Sequence, residues 1–134
     1  SRARVIVDNE VRIDAQAGSV SLSVGVGQGL EIDAQGATIM ARPVRTITAN
    51  GSALSSDGVI VCDTSSNSIA LTLPSPATVP VGREYVIKDI GNASVNPITI
   101  SCSGFNVGGG SSHIISAQRG QITALAYSTE WLVF

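Results

Sequence analysis

The strongest constraint on the fold is a period-two alternation of apolar and polar residues, which runs in short segments through the first fifty residues. Turn-forming Asp, Asn, Gln and Gly residues separate the segments. Strand starts lie roughly six to ten residues apart, which leaves no room for a helical crossover between parallel strands. The pattern therefore predicts an N-terminal β-meander, an intertwined β segment wound around an axis shared with other copies.

The apolar residues are mostly of one kind, with 29 valines and isoleucines against seven leucines and five aromatic residues. Stiff β-branched side chains favour a pleated sheet over a helix, so we expect an all-β protein. A core with so few large side chains is thin. We therefore expect that one protomer cannot complete its own interior and that the protein is an obligate oligomer.

Charge and hydropathy exclude several classes of partner. Only 13% of residues are charged, the formal net charge is −2, and Lys88 is the single lysine. This balance predicts no binding to nucleic acid, whose affinity grows with the number of phosphates neutralised. No apolar run approaches the roughly 18 residues of a membrane span and no basic-then-apolar leader opens the chain, so we expect no membrane partner.

A change in pattern divides the chain into three parts. Residues 1–45 form an N-terminal β-stranded module for attachment and trimerisation, within which VRIDAQ (11–16) recurs as LEIDAQ (30–35). Pro43 interrupts the alternation, because proline cannot donate to a β-ladder, and the small polar residues 46–57 are expected to be a linker. The apolar stripe expected to pack in the trimer or core of the first module is Val11, Ile13, Val20, Leu22, Val24, Leu30 and Ile32.

The third part, residues 58–134, contains about eight short apolar segments separated by turns, with no helical periodicity. It is expected to be an antiparallel β-sandwich or barrel. Its packing positions are expected to be Ile69, Leu71, Leu73, Ile98, Ile100 and Trp131. Cys62 and Cys102 form either one disulfide or two core thiols, and the absence of a disulfide-dense pattern favours free, buried thiols.

Catalytic and metal-binding patterns are weak throughout. The single histidine, His113, follows a glycine-rich turn and is expected to be a strand-edge residue, and no metal or cofactor is predicted. Asp14 and Asp33 occupy matching positions of the repeat and could act as a glycosidase pair, but the first fifty residues contain no aromatic side chain to line a sugar cleft. We therefore expect two solvated aspartates and a protein that is not an enzyme.

Two features point to partners instead. A lectin needs an exposed ring for stacking, and the candidates are Tyr85, Phe105, Tyr127 and Trp131, of which Trp131 is expected in the core. The residues Arg2, Arg4 and Arg12 are candidate anchors on an acidic partner surface; a frayed terminus is the alternative. Because the initiator methionine is normally removed before serine, Ser1 is expected to begin a complete small gene product.

Residues 58–134 resemble a module of bacteriophage virion proteins that occurs in tail fibres, head fibres and small capsid-decorating proteins. Segments in a fixed order carry the resemblance: IALTLP (69–74), VGREYVIKD (81–89), GNA (91–93), NPITI (96–100) and YSTEWLV (127–133). The last turn departs from the pattern, because it lacks the glycine that such modules often have there.

The resemblance implies a compact β-structure that assembles as a homotrimer and carries no catalytic residues. The expected function is that of a capsid decoration or head-stabilising (cement) protein, assembled in the host cytoplasm and located on the phage particle. Its expected partners are copies of itself and the major capsid protein or other virion proteins. The alternative is an adhesive module of a tail fibre or head fibre that binds host-surface glycan.

Overall fold

A computed structural model describes Ile6–Val7, Val11–Arg12, Val20–Ser23, Gly29–Ile32 and Thr38–Phe134, with side-chain environments from residue 41 onward. The chain divides into two compact units, with the boundary between Arg42 and Pro43. The described residues form strands and loops apart from one turn of 3-10 helix at Pro76–Thr78. The prediction of an all-β protein is confirmed.

The first unit, Ser1–Arg42, has its described strands in two groups. They are β1 (Ile6–Val7), β2 (Val11–Arg12), β3 (Val20–Ser23), β4 (Gly29–Ile32) and β5 (Thr38–Ala41). β1 pairs with β2, and β3, β4 and β5 follow one another in a three-stranded sheet, all antiparallel. Winding of this segment around other copies of the chain stays a prediction.

The second unit, Pro43–Phe134, contains two mixed sheets. Its described strands are β6 (Val44–Ile47), β7 (Gly51–Ser52), β8 (Val59–Cys62), β9 (Ile69–Thr72), β10 (Glu84–Asp89), β11 (Ile98–Ser101), β12 (Asn106–Val107), β13 (Ser112–Ile115), β14 (Gln121–Tyr127) and β15 (Glu130–Val133). A six-stranded sheet has the order β12-β15-β14-β10-β8-β6, and a four-stranded sheet has the order β13-β11-β9-β7.

The chain moves from one sheet to the other at almost every strand. From β6 to β14, even-numbered strands lie in the six-stranded sheet and odd-numbered strands in the four-stranded sheet. Each sheet is therefore re-entered in the same direction, so that β6, β8 and β10 are parallel neighbours and β7, β9 and β11 are too. The crossover between parallel strands is thus a strand of the other sheet.

This winding corrects the expectation of an antiparallel sandwich or barrel. Antiparallel pairing is found at β10–β14, β14–β15 and β11–β13, whereas β12–β15 and the neighbours in the winding are parallel. The lack of helical periodicity excluded a crossover helix, but it did not exclude parallel pairing, because a strand of the opposite sheet performs the crossover.

The expected linker at 46–57 is also corrected. Residues of β6 pair with β8, and β7 pairs with β9, so this segment supplies an edge strand to each sheet of the second unit. The division of the chain falls just before it, between Arg42 and Pro43. The small polar side chains of this segment are typical of a linker, but its backbone completes two β-ladders.

Apolar side chains from the two inner faces fill the space between the sheets. The buried set is Ile47, Ala53, Ile60, Cys62, Ile69, Leu71, Leu73, Tyr85, Ile87, Ala93, Ile98, Ile100, Cys102, Val107, Ile115, Ile122, Ala124, Ala126 and Trp131. Tyr85 and Trp131 are the two largest members, and their ring centroids lie 5.5 Å apart. Their polar atoms are satisfied, because Trp131 Nε1 donates to the carbonyl of Pro74 at 2.9 Å and the Tyr85 hydroxyl donates to that of Leu54 at 3.1 Å.

This core overturns the expectation that a protomer cannot fill its own interior, as far as the Pro43–Phe134 unit is concerned. All six packing positions predicted in residues 58–134 are buried within a single chain. Small β-branched side chains suffice because two facing sheets need a layer of side chains only about 10 Å thick. An oligomer of this chain would therefore have to use the outer surface of this unit or the first unit.

Candidate interaction surface

The outer face of the six-stranded sheet has an apolar centre. We call it the valine face and define it by its outward residues: Val44, Thr46, Val59, Val61, Glu84, Val86, Lys88, Asn106, Gln121, Thr123, Leu125, Tyr127, Glu130, Leu132 and Phe134. Alternate burial along each strand places these residues outside, since Ile60, Ile87 and Ala124 between them are fully buried. The face takes its name from four valines on three adjacent strands.

Strand register arranges these side chains in rows across the sheet. Val44 lies beside Val59, Val59 beside Val86, and Val86 beside Thr123. The row ends at Phe134, whose backbone exchanges two hydrogen bonds of 3.0 Å with Thr123. Five neighbouring positions at a strand spacing of about 4.8 Å give a row about 19 Å long, in which Thr123 is the one polar member.

A second apolar pair extends the row along the strand direction. Leu125 lies beside Leu132, in the register position next to the row of valines. At the two ends of the apolar row, Val44 is 64% exposed and Phe134 is 74% exposed. Between these ends Val59 and Val86 are half-buried, so the row is an apolar strip that is most exposed at its two ends.

Charged residues of the valine face lie at opposite ends of its strands. Glu84 begins the outward row of β10 and Lys88 ends it, with Val86 between them. Glu130 lies at the Glu84 end, because it pairs with Tyr127 one outward position beyond Leu125. The face therefore has a carboxylate end and an ammonium end. The ammonium group of Lys88 donates to the backbone carbonyl of Arg119 at the rim.

The outer face of the four-stranded sheet has a different composition. We call it the threonine face and define it by its outward residues Ser52, Ala70, Thr72, Thr99, Ser101, Ser112 and Ile114. Burial alternates along β9 and β11 as it does along β8 and β10, so the two exteriors are built by the same geometry. Hydroxyl groups, which water solvates well, dominate this face.

A buried carboxylate, Asp89, ties loops together at the end of β10. Its side chain is fully buried and accepts a hydrogen bond of 2.6 Å from the Thr64 hydroxyl. The backbone amides of Gly91, Ala93 and Arg119 donate to the same carboxylate at 3.0–3.1 Å. Burial alone would raise the pKa of Asp89, but these four hydrogen bonds together hold it below its usual value.

The fit around this carboxylate extends to the backbone of the loop. A Cβ atom at Gly91 would lie 2.4 Å from the amide nitrogen of Ser65 and 2.5 Å from that of Thr64. The Gly91 position therefore needs glycine because the two loops approach at backbone distance. Asp89 and Gly91 belong to the segments that carry the resemblance described above, and they organise the local fold.

A second carboxylate, Asp57, is clamped by arginine. Arg45 donates to both of its carboxylate oxygens, at 2.9 and 2.7 Å, and the Leu54 amide donates at 2.8 Å. Burial would raise the pKa of Asp57, but these hydrogen bonds and the charges of Arg45 and Arg83 lower it below its usual value. Arg83 also lies over the Tyr85 ring, 4.3 Å from its centroid. The cluster fixes the 52–58 loop against β6 and β10.

The cysteines are free and buried, which confirms the expectation from sequence. Burial raises the pKa of the Cys62 thiol to about 12, and the nearby negative charge of Asp89 adds to the effect. Burial also raises the pKa of Cys102. Both thiols are therefore protonated at neutral pH and serve as small apolar core residues.

Several predicted site residues lie outside the described part of the chain. Arg2, Arg4, Ile13, Asp14, Val24 and Asp33 are in this group. Arg12 and Val11 belong to β2, Val20 and Leu22 to β3, and Leu30 and Ile32 to β4. Their roles in capsid attachment and trimer packing stay predictions.

The remaining predicted residues have definite places. His113 is half-buried in β13, an edge strand of the four-stranded sheet, as expected. Of the four candidate rings, Tyr85 and Trp131 are fully buried, Phe105 is half-buried against the core, and Tyr127 is 54% exposed. Among the described residues, no group of three or more His, Cys, Asp or Glu side chains could hold a metal ion. No helix in the described part of the chain is long and apolar enough to cross a membrane.

Sequence reasoning missed the valine face and the two buried carboxylates. A signal for the face was present, because residues 59–62 form a continuous apolar run rather than an alternating one, which indicates a strand with two apolar faces. Asp57 and Asp89 have no such signal, since their side-chain partners, Arg45 and Thr64, lie 12 and 25 residues away in sequence.

Comparison with protein-family models and with curated proteins gave no match to this chain. The functional argument therefore depends on the surface itself and on the resemblance of residues 58–134.

Proposed function

We propose that this chain is a structural protein of a bacteriophage virion, a homotrimeric capsid decoration protein that binds the major capsid protein and stabilises the head. The valine face is the observation that carries the proposal. The buried centre of a stable protein–protein interface is more apolar than the rest of a protein surface, and this face presents an apolar row on a six-stranded sheet backed by a filled core.

The composition of the second unit also suits a mechanical role. Its interior is closed by two sheets and pinned at the loops by Asp57 and Asp89, each with several hydrogen bonds. Such an arrangement holds an outer surface in one shape, which lowers the entropic cost of binding. The proposal also includes a location on the particle surface after assembly in the host cytoplasm, which the resemblance of residues 58–134 implies.

In this proposal, the first unit attaches the protein to the shell through Arg2, Arg4 and Arg12. Arginine forms paired hydrogen bonds with carboxylates, so an acidic patch on the capsid is the expected counterpart. Deletion of residues 1–40 is expected to abolish occupancy of the virion, measured by quantitative mass spectrometry of purified particles. Unchanged occupancy would show that the anchor lies elsewhere.

The proposed function as a whole is tested on particles that lack the protein. We expect such particles to lose DNA at a lower temperature than complete particles, and purified protein added back is expected to restore the difference. A map of the particle should place the added mass on the head. Mass located only at the tail, with unchanged head stability, would contradict a role in decoration.

A second candidate function is adhesion to host-surface glycan, as in a tail-fibre or head-fibre module. One observation favours it: Tyr127 presents an exposed ring at the turn between β14 and β15. Exposed rings stack on the apolar faces of sugars. If this function is correct, a glycan array gives binding that Tyr127→Ala abolishes and Tyr127→Phe retains, whereas a decoration protein gives no array signal.

A further inference from the structure

We propose that the valine face is a homotypic interface, packed against the valine face of a second copy of this chain with the carboxylate end of one copy beside the ammonium end of the other. The inference rests on the self-assembly in the proposed function and names the surface that performs it.

The valine face and the threonine face of the second unit differ in chemistry. Val59, Val61 and Val86 occupy outward positions of central strands, where β-propensity alone would equally accept threonine, and threonine or serine stands at the corresponding outward positions of β11. The threonine face thus suits contact with water, and the valine face suits burial in an interface. An interface that hides the valine face gains about 25 cal/mol for each Å² of apolar surface removed from water.

The charges of the valine face indicate which partner packs against it. A partner of one strong charge would be matched by charges of the opposite sign across the whole face. Here Glu84 and Glu130 lie at one end and Lys88 at the other, with Val86 between the two ends of β10. A surface with opposite charges at its two ends is complementary to a reversed copy of itself.

The same charges restrict how copies of the chain are oriented in the interface. Two copies related by a twofold axis that passes between the two faces at Val86, at right angles to β10, place Glu84 of each beside Lys88 of the other. Three copies arranged head to tail around a threefold axis, with β10 running around the axis, bring the same two ends together. Copies whose β10 strands run along the axis would instead collect Glu84 side chains in one layer, which like-charge repulsion disfavours.

Lys88 is well suited to report on this contact, because it is the single lysine of the 134 residues. Glu84 lies four residues from Lys88 along an extended strand, so their Cα atoms are about 13 Å apart within one chain. A zero-length carbodiimide cross-link, which joins an amine directly to a carboxylate, therefore favours Lys88 and Glu84 of different chains.

The first experiment uses the complete protein as a mixture of ¹⁵N-labelled and unlabelled copies, treated with carbodiimide at micromolar concentration. We expect mixed-isotope peptide pairs that join Lys88 to Glu84 or Glu130. An oligomer whose cross-links between chains exclude Lys88 would overturn the proposal, and so would a chain that stays monomeric throughout this concentration range.

The second experiment places a charge at the centre of each exterior. Val86→Lys buries a cation in the proposed interface and is expected to raise the dissociation constant of the oligomer by at least about tenfold in analytical ultracentrifugation. Thr99→Lys, its control at an outward position of β11, is expected to leave the constant unchanged. If Val86→Lys does not fold, Val86→Thr replaces it, with an expected rise of about threefold to tenfold.

A charge exchange completes the test. Lys88→Glu alone gives both ends of the face the same sign and is expected to weaken the oligomer, whereas Lys88→Glu combined with Glu84→Lys restores opposite ends and is expected to recover most of the affinity. Failure of the double variant to recover would contradict the pairing of the two ends.

These outcomes separate the inference from the proposed function. If Val86→Lys leaves the oligomer intact while the protein still occupies virions, the inference is wrong and the proposed function stands. If the cross-links and variants behave as expected while complete virions contain no copies of the protein, the interface is correct and the proposed function is wrong.

Discussion

Strands β10 and β11 lie in different sheets of one unit and alternate buried and outward residues in the same way. Their inward residues are alike, with Ile87 facing the core from β10 and Ile100 from β11, both fully buried. Their outward residues differ, since β10 presents Val86 where β11 presents Thr99. The fold therefore sets which residues face outward but leaves the chemistry of each exterior free, and the difference between the exteriors carries information about binding.

The largest expected effect comes from substitutions on the inner faces of the two sheets, which compare how much each face contributes to stability. Ile87→Ala and Ile100→Ala each remove three methyl or methylene carbons from a closed core, and each is expected to lower the free energy of unfolding by about 4 kcal/mol. Urea denaturation at one fixed protein concentration measures both. Separate unfolding transitions detected by different probes, or a marked change in the m value of one variant, would show that the two sheets do not share one cooperative core.

The second effect concerns the carboxylate at the end of β10. Asp89→Asn turns an acceptor of four hydrogen bonds into a group with only one acceptor oxygen, so that buried donors lose their partners. We expect a loss of about 3 kcal/mol in the free energy of unfolding. Asp63→Asn is the control, because Asp63 bonds only to Ser65 in its own turn, and little change is expected there. Equal losses would contradict the role given to Asp89.

The pH dependence of stability follows from the same group. The folded-state pKa of Asp89 is lowered, so its contribution is complete above the unfolded value of about 3.9 and disappears as the pH falls through the folded value. Asp57 adds a contribution of the same sign. Stability is therefore expected to fall below about pH 4, and Asp89→Asn should flatten the curve there, as measured by thermal unfolding from pH 2 to 7.

A smaller effect compares the turns that serve the two sheets. Ser128, in the turn between β14 and β15 of the six-stranded sheet, has φ 51°, a left-handed conformation in which glycine is favoured. Gly109 has φ 83° between β12 and β13, with no atom within 4 Å of an added Cβ. Ser128→Gly is expected to stabilise the protein by about 1 kcal/mol and Gly109→Ala to destabilise it by a similar amount. Changes of the same sign would exclude backbone conformation as the cause.

The smallest effect on folding is expected when valine and threonine are exchanged between the two outer faces. Val59→Thr on the valine face and Thr72→Val on the threonine face keep the shape of the side chain, and each is expected to change the stability of the dissociated chain by no more than about 0.5 kcal/mol. Binding of a hydrophobic dye should fall for Val59→Thr and rise for Thr72→Val. If neither variant changes dye binding, the contrast between the exteriors has no consequence in solution.

Local pattern was enough to predict the strands of the second unit from β8 onward, apart from β12, and many of their faces. Ile69, Leu71 and Leu73 share one face by alternation, and all three are buried. The glycine-rich turn expected before His113 lies at residues 108–110, and two of its glycines have positive φ. These features depend on a few neighbouring residues, whose side-chain period and turn chemistry act over short distances.

Long-range placement could not be read in the same way. Asp63 and Asp89 both follow apolar strands, yet only Asp89 is fully buried, because Thr64 and Arg119 bring their donors to it from 25 and 30 residues away. The small polar residues of 46–57 gave no sign that they complete two sheets. Whether a chain segment pairs or links depends on which strand it meets, and its own composition does not record that.

The sequence by itself determined that this protein is built of short strands and that its strands have inward and outward sides, and it favoured free core cysteines over a disulfide, because all of these follow from local chemistry. The tertiary structure alone decided that successive strands alternate between two sheets and so become parallel neighbours. It also brought Val44, Val59 and Val86, which are 15 and 27 residues apart in sequence, into one row. A row of this kind forms across strands, at right angles to the chain, where register rather than sequence order decides which side chains are neighbours.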